Sequence, residues 1–252
     1  MAGIVAAWML CAGNVAMGAE NWHENAFFGL HYDLHPGAKD TELGRETTYE
    51  HIRAMLEKVK PDFVQYDCKG HPGYTGYPTK VGSPSPGIVN DALKIWRQVT
   101  KDLGIPLSIH YSGVWDTRAI EVHPEWARIK ADGKPDSNNT CRTSAYEKDL
   151  MIPQLLEVVR DYDIDGMWID GENWASHPCW SDSCKKAFTE KTGIAEIPLK
   201  ASDAHWEEWL AFQRDLFTQH VTNVANAVHA VKPACLVCSN WMYTVGQPDA
   251  VK

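Results

Sequence analysis

Short apolar segments alternate with longer amphipathic segments along the chain. The apolar segments predict strands over residues 26–33, 62–68, 107–112, 166–170 and 235–240. Between them, apolar residues at helical spacing predict helices over 48–60, 88–103 and 147–162 and a mostly helical region over 181–231. Residues 132–140, rich in Gly, Pro, Asp and Asn, predict a loop. This repeated β-then-α order is typical of a parallel sheet covered by helices.

Polar side chains follow each predicted strand. These strand-end residues are His31 and Asp33, Asp67 and Lys69, His110 and Tyr111, Asp170 and Glu172, and Ser239 and Asn240. Polar groups at the C-terminal ends of parallel strands are typical of a TIM barrel. A doubly wound sheet is the alternative, but no glycine-rich phosphate loop follows the first strand. We therefore predict an α/β fold, a (β/α)8 TIM barrel that is truncated after about five of its strands.

The start of the chain has a different composition. Residues 1–18 are apolar apart from Asn14 and end in small residues. This pattern predicts a signal peptide over residues 1–19 and hence a secreted or periplasmic protein. We expect residues 20–252 to form the N-terminal part of a TIM-barrel catalytic domain.

Charge and aromatic content narrow the range of partners. The formal net charge is -9, and no lysine- or arginine-rich block is present, which argues against binding to nucleic acid or to an anionic membrane surface. The 11 tryptophans and 9 tyrosines could pack the core or stack on the apolar faces of sugars. A carbohydrate ligand is therefore compatible with the composition.

The seven cysteines do not form a disulfide framework in a chain of this length. Cys179 and Cys184 share one predicted loop, where they could form a local disulfide or half of a metal site. Cys235 and Cys238 are three residues apart in a predicted strand, so their side chains leave on opposite faces. From the sequence we assign no metal-binding residue and expect no cofactor.

The end of the fourth predicted strand carries the strongest chemical signal. The apolar residues 167–169 lead into Asp170, and Gly171 allows a sharp turn of the backbone. A carboxylate held by a rigid strand beside bulky aromatic residues suits a nucleophile that must stay ionised. An aspartate that only caps the following helix is the structural alternative.

The second strand end continues into a glycine-bent loop over residues 69–80, with the sequence Lys-Gly-His-Pro-Gly-Tyr-Thr-Gly-Tyr-Pro-Thr-Lys. It places a cation, an imidazole and two phenols close together, which offers donors for sugar hydroxyls and rings for stacking. A surface turn of the same composition would have no ligand, and composition does not decide between the two.

Four segments, in order, resemble the α-L-fucosidase family of glycoside hydrolases. In the loop over 69–80, the family's Lys-His-His-Asp-Gly-Phe…Trp-Pro-Ser-Lys pattern is matched at Lys69, His71, Gly73, Pro78 and Lys80. Residues 28–32 are similar to the family's first strand, and residues 109–112 with Trp115 and Asp116 are similar to its Tyr-Tyr-Ser…Asp-Trp segment. Residues 168–171 resemble its Trp-Phe-Asp-Gly motif, whose Asp is the nucleophile.

The resemblance implies a retaining glycoside hydrolase that acts by double displacement, with Asp170 as nucleophile. Gly70 and Pro72 replace a His and an Asp that shape the family's sugar pocket, so the reaction class is implied more firmly than fucose as the sugar. The family's acid/base comes from later in the barrel, which here would lie beyond Lys252; within the chain, Glu172 is the nearest candidate. The residues expected to bind the substrate are His31, Asp67, Lys69, His71, Tyr74, His110, Tyr111, Trp115, Trp168, Trp174, Asn240 and Trp241.

Two other functions remain open from the sequence. His31 and His35, with Asp33 between them and Asp170 nearby, could hold a metal ion in a barrel metallohydrolase or sugar deacetylase. Pro36 directly after His35 indicates that His35 has already left the strand, which weakens that hypothesis. A non-catalytic carbohydrate-binding barrel is the third candidate, because no acid/base is evident in the sequence.

Overall fold

A computed structural model describes residues 22–174, 176–241 and 246. The predicted signal peptide lies outside the described residues. The strands are β1 Gly29–Tyr32, β2 Phe63–Lys69, β3 Leu107–Ser112, β4 Ala127–Ile129, β5 Pro135–Thr140, β6 Gly166–Glu172 and β7 Leu236–Trp241. The α-helices are α1 Trp22–Asn25, α2 Tyr49–Val59, α3 Ala92–Asp102, α4 Thr117–Val122, α5 Ile152–Tyr162, α6 Asp182–Thr192 and α7 Trp206–Val231. A 3₁₀ turn at Pro124–Trp126 and a π-helical turn at Glu147–Met151 complete the described elements.

Five strands form one sheet in the order β1-β2-β3-β6-β7, and every neighbouring pair is parallel. Each strand therefore pairs with the next strand of this sheet along the chain. A doubly wound sheet instead reverses its strand order at a switch point. The prediction of a parallel α/β sheet is confirmed, and the consecutive strand order is the one expected in a TIM barrel.

The helices form because their apolar residues lie on one face and their ends are capped. Helix α3 buries Leu93, Trp96 and Val99, and its N-cap Asp91 accepts a hydrogen bond from the backbone N–H of Lys94. The strands bury residues such as Ile109 and Met167, as expected for a sheet covered on both faces. None of the described helices has the length and apolar character needed to cross a membrane.

The prediction of a loop over residues 132–140 is wrong for most of this segment, because residues 135–140 form a strand. The structure has an antiparallel hairpin here, with β4 paired to β5 around the turn at Gly133, whose φ is +80°. β5 is polar and β4 has only three residues (Ala-Arg-Ile), so apolar periodicity gave no signal for either strand. An ion pair of 2.7 Å between Arg128 and Asp136 joins the two strands instead. This hairpin follows β3 and borders the C-terminal end of the sheet, with an isolated bridge between Trp115 and Asn139.

Candidate active site

Asp170 lies near the C-terminal end of β6, between side chains from the two neighbouring strands. Its Oδ2 is 3.2 Å from Nε2 of His110 on β3, and its Oδ1 accepts a hydrogen bond of 2.5 Å from the amide of Asn240 on β7. The Asp170 side chain is 16% exposed. His110 and Asn240 therefore hold both carboxylate oxygens of Asp170, and the carboxylate remains partly exposed to solvent.

His110 links Asp170 to a second carboxylate, Asp67. Its Nδ1 is 2.8 Å from Asp67 Oδ1, and the other Asp67 oxygen accepts the backbone N–H groups of Leu34 and His35. Burial alone would lower the pKa of His110, but the hydrogen bonds to Asp170 and Asp67 outweigh it and raise the pKa to about 9. The His110 side chain is therefore an imidazolium at neutral pH that donates one hydrogen bond to each carboxylate.

This arrangement keeps Asp170 ionised. Burial would raise the pKa of Asp170, but the hydrogen bonds from His110 and Asn240 hold its pKa well below the usual range. The pKa of Asp67 is likewise lowered, because the hydrogen bond from His110 overcomes the cost of burial. Asp170 is thus an aimed, charged carboxylate, which is the state a nucleophile requires.

His71 presents a hydrogen-bond acceptor beside Asp170. The Ser112 hydroxyl donates to the carbonyl of Trp115 at 2.6 Å, so His71 Nδ1, also 2.6 Å from that hydroxyl oxygen, must be the donor. Burial lowers the pKa of His71. The neutral ring then directs its Nε2 lone pair towards Asp170 Oδ2 at 3.7 Å. A ligand hydroxyl placed beside these two acceptors could donate its single proton to one of them, and a second hydroxyl of the ligand could donate to the other.

Aromatic rings border this cluster. His71 stacks on Trp115 with ring centroids 4.5 Å apart, and His110 contacts Trp168 at 5.5 Å. The exposed His31 lies 5.7 Å from His110, ring centroid to ring centroid. Because apolar ring faces surround a few hydrogen-bonding groups, the site has the character of a sugar-binding pocket.

Gly171 is required by the geometry of the strand end. Its φ is +70°, a conformation that favours glycine, and a Cβ at this position would lie 3.0 Å from Cβ of Trp115 and 3.3 Å from Cε1 of His71. The pairing of β6 with β7 is irregular between Ile169 and Glu172. The sharp turn expected at Gly171 is therefore present, and it brings the His71–Trp115 pair against the backbone next to Asp170.

Lys69 and Tyr111 do not line the pocket, which corrects the expectation that they bind substrate. The Lys69 side chain is 1% exposed, forms a 2.6 Å ion pair with Asp116 and donates to the carbonyl of Ser112. Its ammonium also lies 4.3 Å from the centroid of the Tyr111 ring. Tyr111 is fully buried, and its hydroxyl donates to Gln154. Both residues are buried behind the side chains that surround Asp170.

Glu172 is also turned away from the pocket, which corrects its candidacy as acid/base. The carboxylate is buried, with Oε2 2.8 Å from Nε2 of His220 and Oε1 accepting the backbone N–H of Val114. His220 Nδ1 in turn lies 2.5 Å from Glu147, so this imidazole also sits between two carboxylates. Contacts to both acids outweigh burial and raise the pKa of His220. Glu172 is a member of a buried ion-pair chain that joins β6 to α7.

The remaining aromatic candidates lie at different depths. Trp174 is 2% exposed and donates to the carbonyl of Thr140. Tyr74 is half-buried beneath the guanidinium of Arg118, and Trp241 is 36% exposed. Trp174 is therefore a buried structural residue, whereas Asp67 and the histidines of the cluster surround Asp170.

His35, which the sequence raised only as a metal ligand, joins the same cluster. It stacks on His110 at 5.3 Å, and its Nε2 is 3.0 Å from Asp33. His35, Asp67 and His110 offer three ligand atoms within 4.8 Å of one another. However, both Asp67 oxygens and both His110 nitrogens already have protein partners, so a metal ion would have to displace those contacts. The donor set fits a hydrogen-bonded charge network better than a metal centre.

Comparison with known proteins decides the family. A sequence profile described as α-L-fucosidase matches residues 50–245. The chain belongs to the α-L-fucosidase family. The resemblance found in the sequence is thereby confirmed, and this family consists of glycoside hydrolases. A search of the curated proteins found no match to the chain.

Solved structures show the same fold. The chain is similar to α-L-fucosidase isoenzyme 2 from Paenibacillus thiaminolyticus, with a TM-score of 0.71 and 24% identity over 85% of this chain and 32% of that one. A β-galactosidase from the psychrophilic Marinomonas ef1 gives a TM-score of 0.62 and 12% identity over 88% and 38% of the two chains. A hypothetical protein from Ruminiclostridium thermocellum gives 0.53 and 12% over 84% and 96%. The chain thus spans about a third of the length of the fucosidase structure it matches.

Proposed function

We propose that the protein is a retaining glycoside hydrolase of the α-L-fucosidase type, with Asp170 as its nucleophile. The observation that carries this proposal is the state of Asp170, a partly exposed carboxylate kept ionised by His110 and Asn240 at the C-terminal end of a parallel strand. Family membership supplies the substrate class, a glycan bearing a terminal sugar. The five parallel strands are, in this proposal, the first part of a (β/α)8 barrel.

In the first step, an Asp170 oxygen attacks the anomeric carbon as the glycosidic bond breaks and the acid/base gives its proton to the leaving oxygen. In the second step, the acid/base takes a proton from water, which attacks the anomeric carbon and releases the sugar from Asp170. Oδ1 and Oδ2 are each held by one donor, so attack needs little reorganisation of the carboxylate. When Asp170 becomes an ester its charge is neutralised, and the His110 imidazolium remains paired with Asp67. His110 can therefore keep its proton through both displacement steps.

His71 and the aromatic residues then position the sugar. The Nε2 acceptor of His71 lies beside the nucleophile, where it can bind a hydroxyl next to the anomeric carbon. Trp115 contacts His71 and Trp168 contacts His110, and these rings are in place to pack against the apolar face of the sugar. This placement aligns the sugar relative to Asp170 before reaction.

The acid/base is a separate group. Retention requires its carboxyl about 5–5.5 Å from the nucleophile. Glu172 is buried and bound to His220 and to the backbone of Val114, so in this arrangement it cannot act as the acid/base. We propose that the acid/base comes from the C-terminal end of a later barrel strand, as it does in the family.

The test is hydrolysis of a panel of aryl glycosides, beginning with an aryl α-L-fucoside. Asp170→Gly should lower kcat by about 10⁴-fold or more, the scale of removing a nucleophile. Added azide should restore turnover of an activated substrate and give a glycosyl azide of inverted configuration. Asp161→Gly changes an exposed carboxylate on α5 and serves as the control.

Three results would contradict the proposal. Undiminished hydrolysis by Asp170→Gly would remove the assigned nucleophile. Activity lost in chelator and restored by zinc would favour a metal-dependent hydrolase. Sugar binding without hydrolysis by the wild-type protein would favour a binding module.

A further inference from the structure

Three buried cysteines converge outside the Asp170 pocket. Cys141 directly follows β5, Cys179 lies in the segment between β6 and α6, and Cys184 lies in the first turn of α6. The Sγ atom of Cys141 is 3.3 Å from that of Cys179 and 3.6 Å from that of Cys184. All three sulfur atoms lie within 4.8 Å of one another. Two regions of the chain that are distant in sequence, one with Cys141 and one with Cys179 and Cys184, therefore direct three thiols to one point.

These distances fit a shared metal ion and do not fit a disulfide. A disulfide requires an S–S distance of about 2.05 Å. Zinc bound by thiolates at about 2.3 Å in a tetrahedron separates its sulfur ligands by about 3.8 Å. The two measured Sγ–Sγ contacts, 3.3 and 3.6 Å, approach that spacing. Small shifts of the side chains would bring the three sulfur atoms around one ion.

Hydroxyl groups surround the same point. Thr143 Oγ1 is 3.2 Å from the sulfur atoms of both Cys141 and Cys184, and Ser181 Oγ is 3.3 Å from that of Cys141. Ser181 also accepts the backbone N–H of Cys184 as the N-cap of α6. The Thr143 hydroxyl, or a water molecule beside it, is therefore placed to complete a four-coordinate site.

The surroundings support bound thiolates rather than ordinary apolar packing. The backbone N–H of Ile129 points at Cys179 Sγ from 3.5 Å, the type of contact that stabilises a metal-bound thiolate. Isolated buried cysteines usually pack singly as small apolar residues. The three cysteines belong to one buried apolar cluster with Phe188 and Trp209, and within it three sulfur atoms and two hydroxyl oxygens lie close together. Five donor atoms at one point are better explained by a shared ligand than by apolar contact.

We propose that Cys141, Cys179 and Cys184 bind one zinc ion that fastens the β4–β5 hairpin to α6 and to the segment that follows β6. Binding forms three Zn–S bonds and releases the three thiol protons to solvent. Trp174, which donates to the carbonyl of Thr140 next to Cys141, is part of the fastened segment. The ion has a structural role, and it does not depend on the proposed glycosidase activity.

The experiment measures zinc in the purified protein after dialysis against a weak chelator. The wild-type protein should retain one zinc per chain. Cys141→Ser and Cys184→Ser should each lose it, whereas Cys238→Ser, which changes an exposed cysteine outside the cluster, should retain it. Zinc at background in the wild-type protein, or full retention by both cluster variants, would overturn the proposal.

Cobalt substitution of the wild-type protein tests the ligands without relying on any variant to fold. Cobalt(II) exchanged into the site should give thiolate-to-metal charge-transfer bands in the near ultraviolet and the visible spectrum of tetrahedral coordination. Absence of the charge-transfer bands would overturn the proposal. So would non-reducing peptide mass spectrometry that finds two of the three cysteines joined in a disulfide.

Discussion

Replacing His110 with glutamine tests the charge network that holds Asp170. The imidazolium lies between Asp67 and Asp170, 2.8 and 3.2 Å away, and its side chain is 2% exposed. Glutamine can still donate hydrogen bonds from its amide group, but it carries no charge. The change therefore removes the cation while keeping a polar side chain of similar length.

The magnitude follows from the pKa of His110, which is about 9 in the folded protein compared with 6.5 ordinarily. A difference of about 2.5 units corresponds to about 3 kcal/mol of folding free energy. Because the folded-state pKa is raised, this stabilisation is complete below pH 6.5 and is lost as the pH rises through about 9. The lowered pKa values of Asp67 and Asp170 arise from the same hydrogen bonds, so the energy is counted once.

The assay is urea unfolding followed by tryptophan fluorescence at pH 6, 7.5 and 9.5. The wild-type protein should exceed His110→Gln in free energy of unfolding by about 3 kcal/mol more at pH 6 than well above pH 9. His51→Gln changes an exposed histidine on α2 and should give a difference that does not vary with pH in this way. An equal gap between wild type and His110→Gln at pH 6 and pH 9.5 would refute the argument.

Two further substitutions separate structure from catalysis. Glu172→Gln should lower the free energy of unfolding by about 1–3 kcal/mol, because it removes the charge opposite the buried His220. Unchanged stability, together with a selective loss of activity on substrates with poor leaving groups, would instead make Glu172 the acid/base. Gly171→Ala should cost about 1–3 kcal/mol and also reduce kcat, since its Cβ would press on Trp115 and His71. Gly193→Ala has a similar φ of +76° but open space around its Cβ, so equal effects of the two alanine variants on kcat would contradict the close-contact argument.

The main sheet was predictable because its strands are short apolar segments between amphipathic helices. The predicted strand over 107–112 coincides with β3, and the other four overlap their strands with small shifts at the ends. The hairpin of β4 and β5 was not predictable in the same way. β5 is polar and β4 has only three residues, so apolar periodicity does not distinguish either of them from a loop.

The site shows where strand alternation misleads. In a regular strand, residues two apart share a face, so Lys69 should accompany Asp67 and Glu172 should accompany Asp170. The pairing of β2 with β3 shifts between Asp67 and Lys69, and that of β6 with β7 shifts between Ile169 and Glu172. At each irregularity the second residue of the pair, Lys69 or Glu172, points away from the site around Asp170.

Contacts between distant segments were beyond the reach of the sequence. The sequence raised Cys179 and Cys184 as half of a metal site but gave no reason to connect them with Cys141. The same applies to Ser112, whose hydroxyl fixes the orientation of His71. Such partners depend on how the hairpin and loops pack on the sheet, and no local pattern encodes that.

The most direct test of the central claim is covalent trapping. A 2-deoxy-2-fluoro-fucosyl fluoride slows both displacement steps but retains a good leaving group, so the glycosyl-enzyme accumulates. We expect intact-mass spectrometry to show one added fluorosugar per chain, and peptide mapping to place the ester on Asp170. A label on another carboxylate would contradict the assignment of Asp170, and hydrolysis that inverts the anomeric configuration without any trapped ester would contradict the double-displacement mechanism.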